Sequence, residues 1–230
     1  MQNSCPRGFL LPRIICTFAV VNKKKYIYDL IAQGEHQQQD FKYKIADAHK
    51  LAKSVSAFAN TDGGRLLIGV RDDGHLSGVR SEEEIYMMHA AAYQHCQPAA
   101  SIKFDTYYID GRTLVIATIP PSDKKPICAV DTDGKKKAYI RINDENIVAS
   151  PVHLAIWREQ MSSRGTFMTY SENETMLMNA MKTKQGMTLN QIVRKSRLAR
   201  HKVITTLARL IRFDIVGWTF DNHQFTFSLK

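Results

Sequence analysis

The chain has 230 residues, 44% of them hydrophobic and 23% charged, which leaves room for one large domain or two modest ones and is too apolar for wholesale disorder. Its longest apolar run, Phe9–Val21, is 13 residues broken by Pro12 and Arg13, short of the roughly 20 that a membrane-crossing helix needs. The net charge of +10 is concentrated at the ends, because residues 25–162 sum to −1 and residues 171–230 to +6, and a local basic excess of that kind suits a polyanion such as nucleic acid.

Residues 1–24 carry Arg7, Arg13, Lys23 and Lys24 and no acid. They match a secretion signal poorly, since Arg13 interrupts the apolar run and no A-x-A-like cleavage site follows. A disordered leader, or a translation start near Val21, is expected. Cys5, Cys16, Cys96 and Cys128 show no CxxC and no metal-ligand spacing, as in a reduced, cytoplasmic protein.

From residue 25 a folded pattern begins. Ile27, Leu30 and Ile31 mark one face of a short helix over 25–33, ended by Gly34. A strand over Asp40–Ile45 would place Phe41, Tyr43 and Ile45 on one side and Lys42 and Lys44 on the other. Asp47 is an N-cap for a helix with the stripe Leu51, Val55, Phe58 and Ala59. That helix runs into Asn60-Thr61-Asp62-Gly63-Gly64. Strand Arg65–Val70, the turn Asp72-Asp73-Gly74 and a return at His75–Val79 follow. Ser81 with Glu84 forms a capping box for a helix to about Cys96. Strands are expected at Ser101–Ile109, Thr113–Ile119, Ile127–Val130 and Ala138–Ile142, then a helix from Pro151 to about Met161.

Residues 163–170 read as a linker. Beyond it lie a helix at 172–182, a capping box of Thr188 and Gln191 opening a helix through Ser196, and a helix at 200–213 with Val203, Leu207 and Leu210 inward. The strands Ile215–Phe220 and Gln224–Leu229 then form a hairpin. Three helices and a hairpin is the order of a winged helix-turn-helix. With the apolar stripe inward, Arg200, His201, Lys202, Thr205, Thr206 and Arg209 fall on or beside the exposed face of the last helix, with Arg194, Lys195 and Arg197 just before it. Such side chains contact phosphates and base edges. The same charges could instead be merely solvated on a module used for protein contacts.

In the body, Gly34-Glu35-x4-Asp40-Phe41-Lys42, then Ser56-x-Phe58-Ala59-Asn60-Thr61-x-Gly63-Gly64, then Asp72-Asp73-Gly74 and Gly78-Val79, resemble the Schlafen AlbA-type domain over about residues 25–162. The resemblance implies a mixed α/β fold and a nucleic-acid-related role, often with a C-terminal helix-turn-helix. Some relatives were labelled ATPases, but no GxxxxGK[ST] is present to cradle phosphates, and Gly63-Gly64 is what a tight helix-to-strand turn requires. Arg141 and Asn146 match the family's Arg-x4-Asn-like turn, either touching a nucleic-acid backbone or bracing the loop. RNA-cleaving relatives hold a divalent metal on three carboxylates, which carry over to Glu35, Asp40 and Asp72 or Asp73, with Mg²⁺ or Mn²⁺ as the implied ion. The second position here is Asp rather than Glu, one copy of the domain is present, and the body's −1 charge offers a polyanion no overall attraction.

The expectation is therefore an α+β chain, with a Schlafen AlbA-type domain at 25–162 and a small winged helix at 171–230. It would bind nucleic acid, double-stranded DNA in particular, as a cytoplasmic transcriptional regulator without a cofactor or membrane association. A metal-dependent endoribonuclease and a non-enzymatic homodimeric interaction module are the rivals.

Overall fold

Asp47 starts the helix around which the body is built: its carboxylate accepts hydrogen bonds from the His49 and Lys50 backbone N–H groups, satisfying donors that a helix start leaves orphaned. The structure, a computed structural model, describes residues 23–79, 82–161 and 171–230. The expected leader (apart from Lys23 and Lys24), Ser81 and the linker at 163–170 lie outside them. In chain order the body contains α1 (23–32), β1 (Gln39–Lys42), α2 (Ala48–Asn60), β2 (Gly64–Ile68), α3 (Glu83–Tyr93), β3 (Cys96–Gln97), β4 (Lys103–Ile109), β5 (Arg112–Ile119), β6 (Cys128–Val130), β7 (Lys136–Ile142), β8 (Glu145–Val148) and α4 (Pro151–Gln160). The C-terminal unit adds α5 (Glu172–Met181), β9 (Met187–Thr188), α6 (Leu189–Ser196), α7 (Arg200–Arg212), β10 (Val216–Asp221) and β11 (Gln224–Leu229). The architecture is α+β.

One sheet has the order β1-β2-β5-β4, parallel between β1 and β2 and antiparallel elsewhere. A second, antiparallel throughout, runs β3-β6-β7-β8. Strand alternation sorts their side chains into layers. Leu66, Ile68, Val115, Ala117 and Ile119 face α2 and α3, whereas Leu67, Leu114 and Ile116 face Ile27 and Leu30 of α1. Helix α2 lies between the two sheets, so it is buried on nearly every side, including Ser54, Ser56 and Asn60. The outer face of the second sheet, Ala138 and Ile140, meets Trp157 of α4.

Several elements differ from the sequence pattern. Strand β1 stops at Lys42, and Tyr43 points to solvent while Ile45 is buried, because the chain leaves the sheet to reach the Asp47 cap. Strand β8 was not expected; a turn with Asn143 at φ 55 folds it back on β7. Glu82, without a side-chain cap, precedes α3.

Polar side chains of α2 do the work of a missing strand. The Asn60 side-chain amide donates to the carbonyls of Ile127 (2.8 Å) and Tyr139 (2.9 Å), and its carbonyl accepts from the Ile127 N–H (2.8 Å). Ser56 Oγ donates to the Ile127 carbonyl (2.7 Å) and accepts from the Tyr139 N–H (3.0 Å). Asn60→Ala leaves these buried groups short of partners, so urea unfolding should show a loss of at least about 3 kcal/mol, since each orphaned polar group costs about 1–3 kcal/mol.

The C-terminal unit closes over its own core, with Leu177, Ile192, Val203, Leu207, Leu210, Val216 and Phe227 buried around Val152 of α4. Beside it, His153 is 6% exposed and packs against Trp218 (4.7 Å between ring centroids) and Phe225 (4.9 Å), with Nδ1 2.7 Å from Ser150 Oγ. Burial pushes its pKa down to about 4. The folded state therefore holds His153 neutral while the unfolded chain takes up a proton below about 6.5. Stability is full above that pH and is lost as pH falls toward 4, by up to about 3 kcal/mol at 1.36 kcal/mol per unit. His153→Phe should flatten the urea-midpoint profile across this window.

Candidate functional site

Phe41 turns toward α1, so alternation along the edge strand β1 sends its neighbours Asp40 and Lys42 to the opposite face. There Asp40, 4% exposed, meets two cations. Lys42 Nζ lies 2.7 Å from its Oδ2, and Arg141 Nη2 lies 3.6 Å from its Oδ1. Arg141 reaches across from β7 and is itself 2% exposed. It donates to the Gln39 carbonyl (3.2 Å) and to Asn146 Oδ1 (3.0 Å), and Asn146 in turn donates to Ser54 Oγ on α2 (3.0 Å). The Arg141 guanidinium covers the Phe58 ring at 5.1 Å.

The Arg141-x4-Asn146 spacing is explained by register, since the two residues stand opposite each other on β7 and β8. Buried between the sheets, Arg141 cannot reach an external polyanion, and Asn146 is spent on Arg141 and Ser54. Of the two expected roles, the bracing one is what the geometry has.

Glu35, in the turn after α1, accepts a hydrogen bond from the Phe41 N–H at 2.8 Å. Partial burial, together with the Asp40 carboxyl in hydrogen-bond contact, pushes its pKa up to about 7. Two carboxyls this close resist carrying two charges. The remaining candidates stand apart from them: Asp72 is exposed in the turn, and Asp73 Oδ1 caps the His75 N–H at 2.8 Å. Among the described residues no three His, Cys, Asp or Glu side chains gather into a metal-holding group. Mg²⁺ or Mn²⁺ seeks several oxygen ligands, whereas Asp40 is already compensated by an ammonium and a guanidinium. The donor set does not fit a divalent cation.

Residues that the sequence pattern did not single out hold this corner. Gln39 is fully buried; its amide donates to the Leu30 and Gly34 carbonyls (both 2.7 Å) and accepts from Arg65 Nε (2.7 Å). Gln37 donates to the Arg141 carbonyl (2.9 Å) and accepts from the Asn143 N–H (2.9 Å). A run of three glutamines, at 37–39, was the available signal. Gly63 has φ +72, and a Cβ there would lie 2.8 Å from Pro121 Cδ and 2.9 Å from the Ile119 carbonyl. Steric need accounts for this glycine.

In the C-terminal unit Arg194, Lys195, Arg197, Arg200, His201, Lys202 and Thr205 are exposed. Arg200 Nη1 donates to Asn190 Oδ1 at 2.6 Å, tying the start of α7 to α6. Two expected members of this face are placed differently. Thr206 is buried, because three residues after Val203 and four before Leu210 is the core stripe. Arg209 Nη1 pairs with the buried Glu174 at 2.7 Å and braces α7 against α5. Arg197 occupies a left-handed position, φ 57 and ψ 15, between the helices.

A sequence profile of the family described as Schlafen, AlbA_2 matches residues 35–150. No curated protein matches the chain. Among solved structures, the DIP2311 protein from Corynebacterium diphtheriae covers 91% of this chain at 17% identity with a TM-score of 0.46, and the chain spans 38% of that protein's length. The N-terminal domain of a RecG-related protein from Nitrosomonas europaea covers 64% of this chain and is itself covered to 97%, at 22% identity and a TM-score of 0.38.

The raised Glu35 pKa carries a stability signature. A carboxyl whose folded pKa exceeds its unfolded value stabilises fully below about 4.5 and loses that contribution as pH rises through about 7. Glu35→Gln keeps the acceptor for the Phe41 N–H and removes the titration. Its urea midpoint should gain on the wild type as pH rises from 5 to 8, about the range between the two pKa values.

Proposed function

The chain belongs to the Schlafen, AlbA_2 family, and from that premise we propose that it is a nucleic-acid-binding protein that regulates transcription through its C-terminal unit. In this reading the unit is a winged helix, with α6, the turn at Arg197 and α7 as the helix-turn-helix and β10–β11 as the wing. The observation that carries it is the row of exposed cations Arg194, Lys195, Arg197, Arg200 and Lys202 along α6, the turn and α7. Their charges are concentrated in a unit of net +6, the electrostatic footprint of a polyanion-binding surface. Arg197 adds a second reason. Its left-handed conformation is one glycine adopts without cost, so an arginine held there by the surrounding fold points to use of its side chain.

Duplex DNA is the ligand this reading favours, since a helix presenting cations and Thr205 suits the major groove. In the body domain Arg141 and Lys42 are engaged with Asp40, and the endoribonuclease reading rests only on the adjoining Glu35 and Asp40.

Arg197→Ala/Arg200→Ala/Lys202→Ala should weaken binding of a duplex measured by fluorescence anisotropy. It should also flatten the dependence of log K on log salt by roughly 3 if each side chain neutralises one phosphate. All three are exposed, and the one bond lost, from Arg200 to Asn190, is a surface contact of small worth, so the melting temperature should fall only slightly. An unchanged salt slope would refute the reading and favour a protein-contact role.

A further inference from the structure

Where the chain leaves β1 for the Asp47 cap, Lys42, Lys44 and Lys50 surround a cavity of about 290 Å³ floored by Ile45, Ala46 and Leu51. We propose that this cavity takes one nucleotide of a single-stranded nucleic acid, with the lysines on its phosphates and the apolar floor under its base. The site lies in the body domain, apart from the C-terminal cations, and does not rest on the winged-helix reading.

Charge is the first argument. Lys44 and Lys50 are exposed, and among the described residues neither enters an ion pair. Lys42 is held in place: its Nζ pairs with Asp40 and donates to the Phe41 carbonyl at 2.8 Å. An ammonium has three donors, so one is left beyond these two contacts, and Lys44 and Lys50 are the freer cations. Asp47, the one acid in the lining, has its carboxylate turned onto the His49 and Lys50 N–H groups, which holds its pKa down. Glu83 and Glu84 border an adjoining cavity that shares Lys44, Ile45 and Ala46, and they limit how far a strand could run in that direction.

Chemistry of the walls is the second. Lysine stems, Ile45, Ala46 and Leu51 form an apolar surface under a cationic rim, which a free phosphate would not use and a nucleotide would.

The test uses the full chain with Arg197→Ala/Arg200→Ala/Lys202→Ala as background, so that the outcome is independent of the C-terminal surface. A fluorescein-labelled single strand of about a dozen nucleotides, within the usual site size, is titrated by anisotropy, and amide NMR shifts are followed with that strand and with inorganic phosphate. Lys44→Glu/Lys50→Glu should weaken strand binding about 10-fold or more and lower the salt slope by roughly 1.4, two contacts at about 0.7 each. Lys44→Arg/Lys50→Arg should keep the affinity, and the strand should shift the amides of 43–51. Affinity of the Glu double variant within about twofold of background, against the loss that two phosphate contacts imply, would overturn the proposal. So would shifts of these amides with inorganic phosphate but none with the strand, which would make it a free-anion site.

Discussion

Two side chains of one helix, Ser56 and Asn60, hold the body together by making hydrogen bonds normally made by a neighbouring strand. Ile127 and Tyr139 offer N–H and C=O groups toward α2 that water cannot reach, and Ser56 and Asn60 satisfy them. The second sheet is thereby fixed to α2 by directed bonds as well as by packing. Thr61 extends the pattern, donating to the Ala57 carbonyl (2.6 Å) and accepting from the Arg141 N–H (2.9 Å). Once β7 is fixed in this way, Arg141 has only the space between the sheets to occupy, and Asp40 on the edge of the first sheet is the carboxylate within its reach. A small helix–sheet bond network thus determines where the charged corner forms. Removing one partner of such a network costs more than forming it gains, because the orphaned groups remain buried.

This explains which features were legible in the sequence. The helices α2, α4, α6 and α7 were, because apolar periodicity, the caps at Asp47 and Thr188 and the proline that opens α4 are local signals. Strands β2 and β5 were, because their continuous apolar runs match a sheet covered on both faces. The short strands β3 and β9 and the return strand β8 were not, since a pairing of a few residues is determined by the partner strand rather than by its own composition. The tract Ser56–Gly64 reads as a helix end and a turn. That its polar residues bond to strands some 70–80 residues onward is a tertiary fact with no local trace.

The candidate site divides in the same way. Exposure of Arg200, His201, Lys202 and Thr205 followed from helical geometry alone, and Arg194, Lys195 and Arg197, noted only as lying just before that helix, are exposed as well. The errors at Thr206 and Arg209 arose where a wheel position cannot say what packs beside it: α4 and α5 cover more of α7 than the Val203, Leu207 and Leu210 stripe requires. Glu35 and Asp40 do adjoin, as the family resemblance implied, but the cations that complete their surroundings come from Lys42 beside them and Arg141 a hundred residues away.

Net charge proved the least informative quantity for the body domain. Its total of −1 counts acids and bases equally, yet they are not equally available. Asp47, Asp73 and Asp131 are turned onto backbone N–H groups, Asp110 takes Lys24 and Tyr28, and Asp40 takes Lys42 and Arg141. A carboxylate held this way has part of its field cancelled by the donors around it. Lys44 and Lys50 are exposed, so their charge is open to solvent. A domain that is neutral by summation can therefore present a cationic surface on one side, and the place to look for it is where acids cap helices and turns while neighbouring lysines do not fold back. In this chain that place is the passage from β1 to α2, next to the Glu35–Asp40 corner.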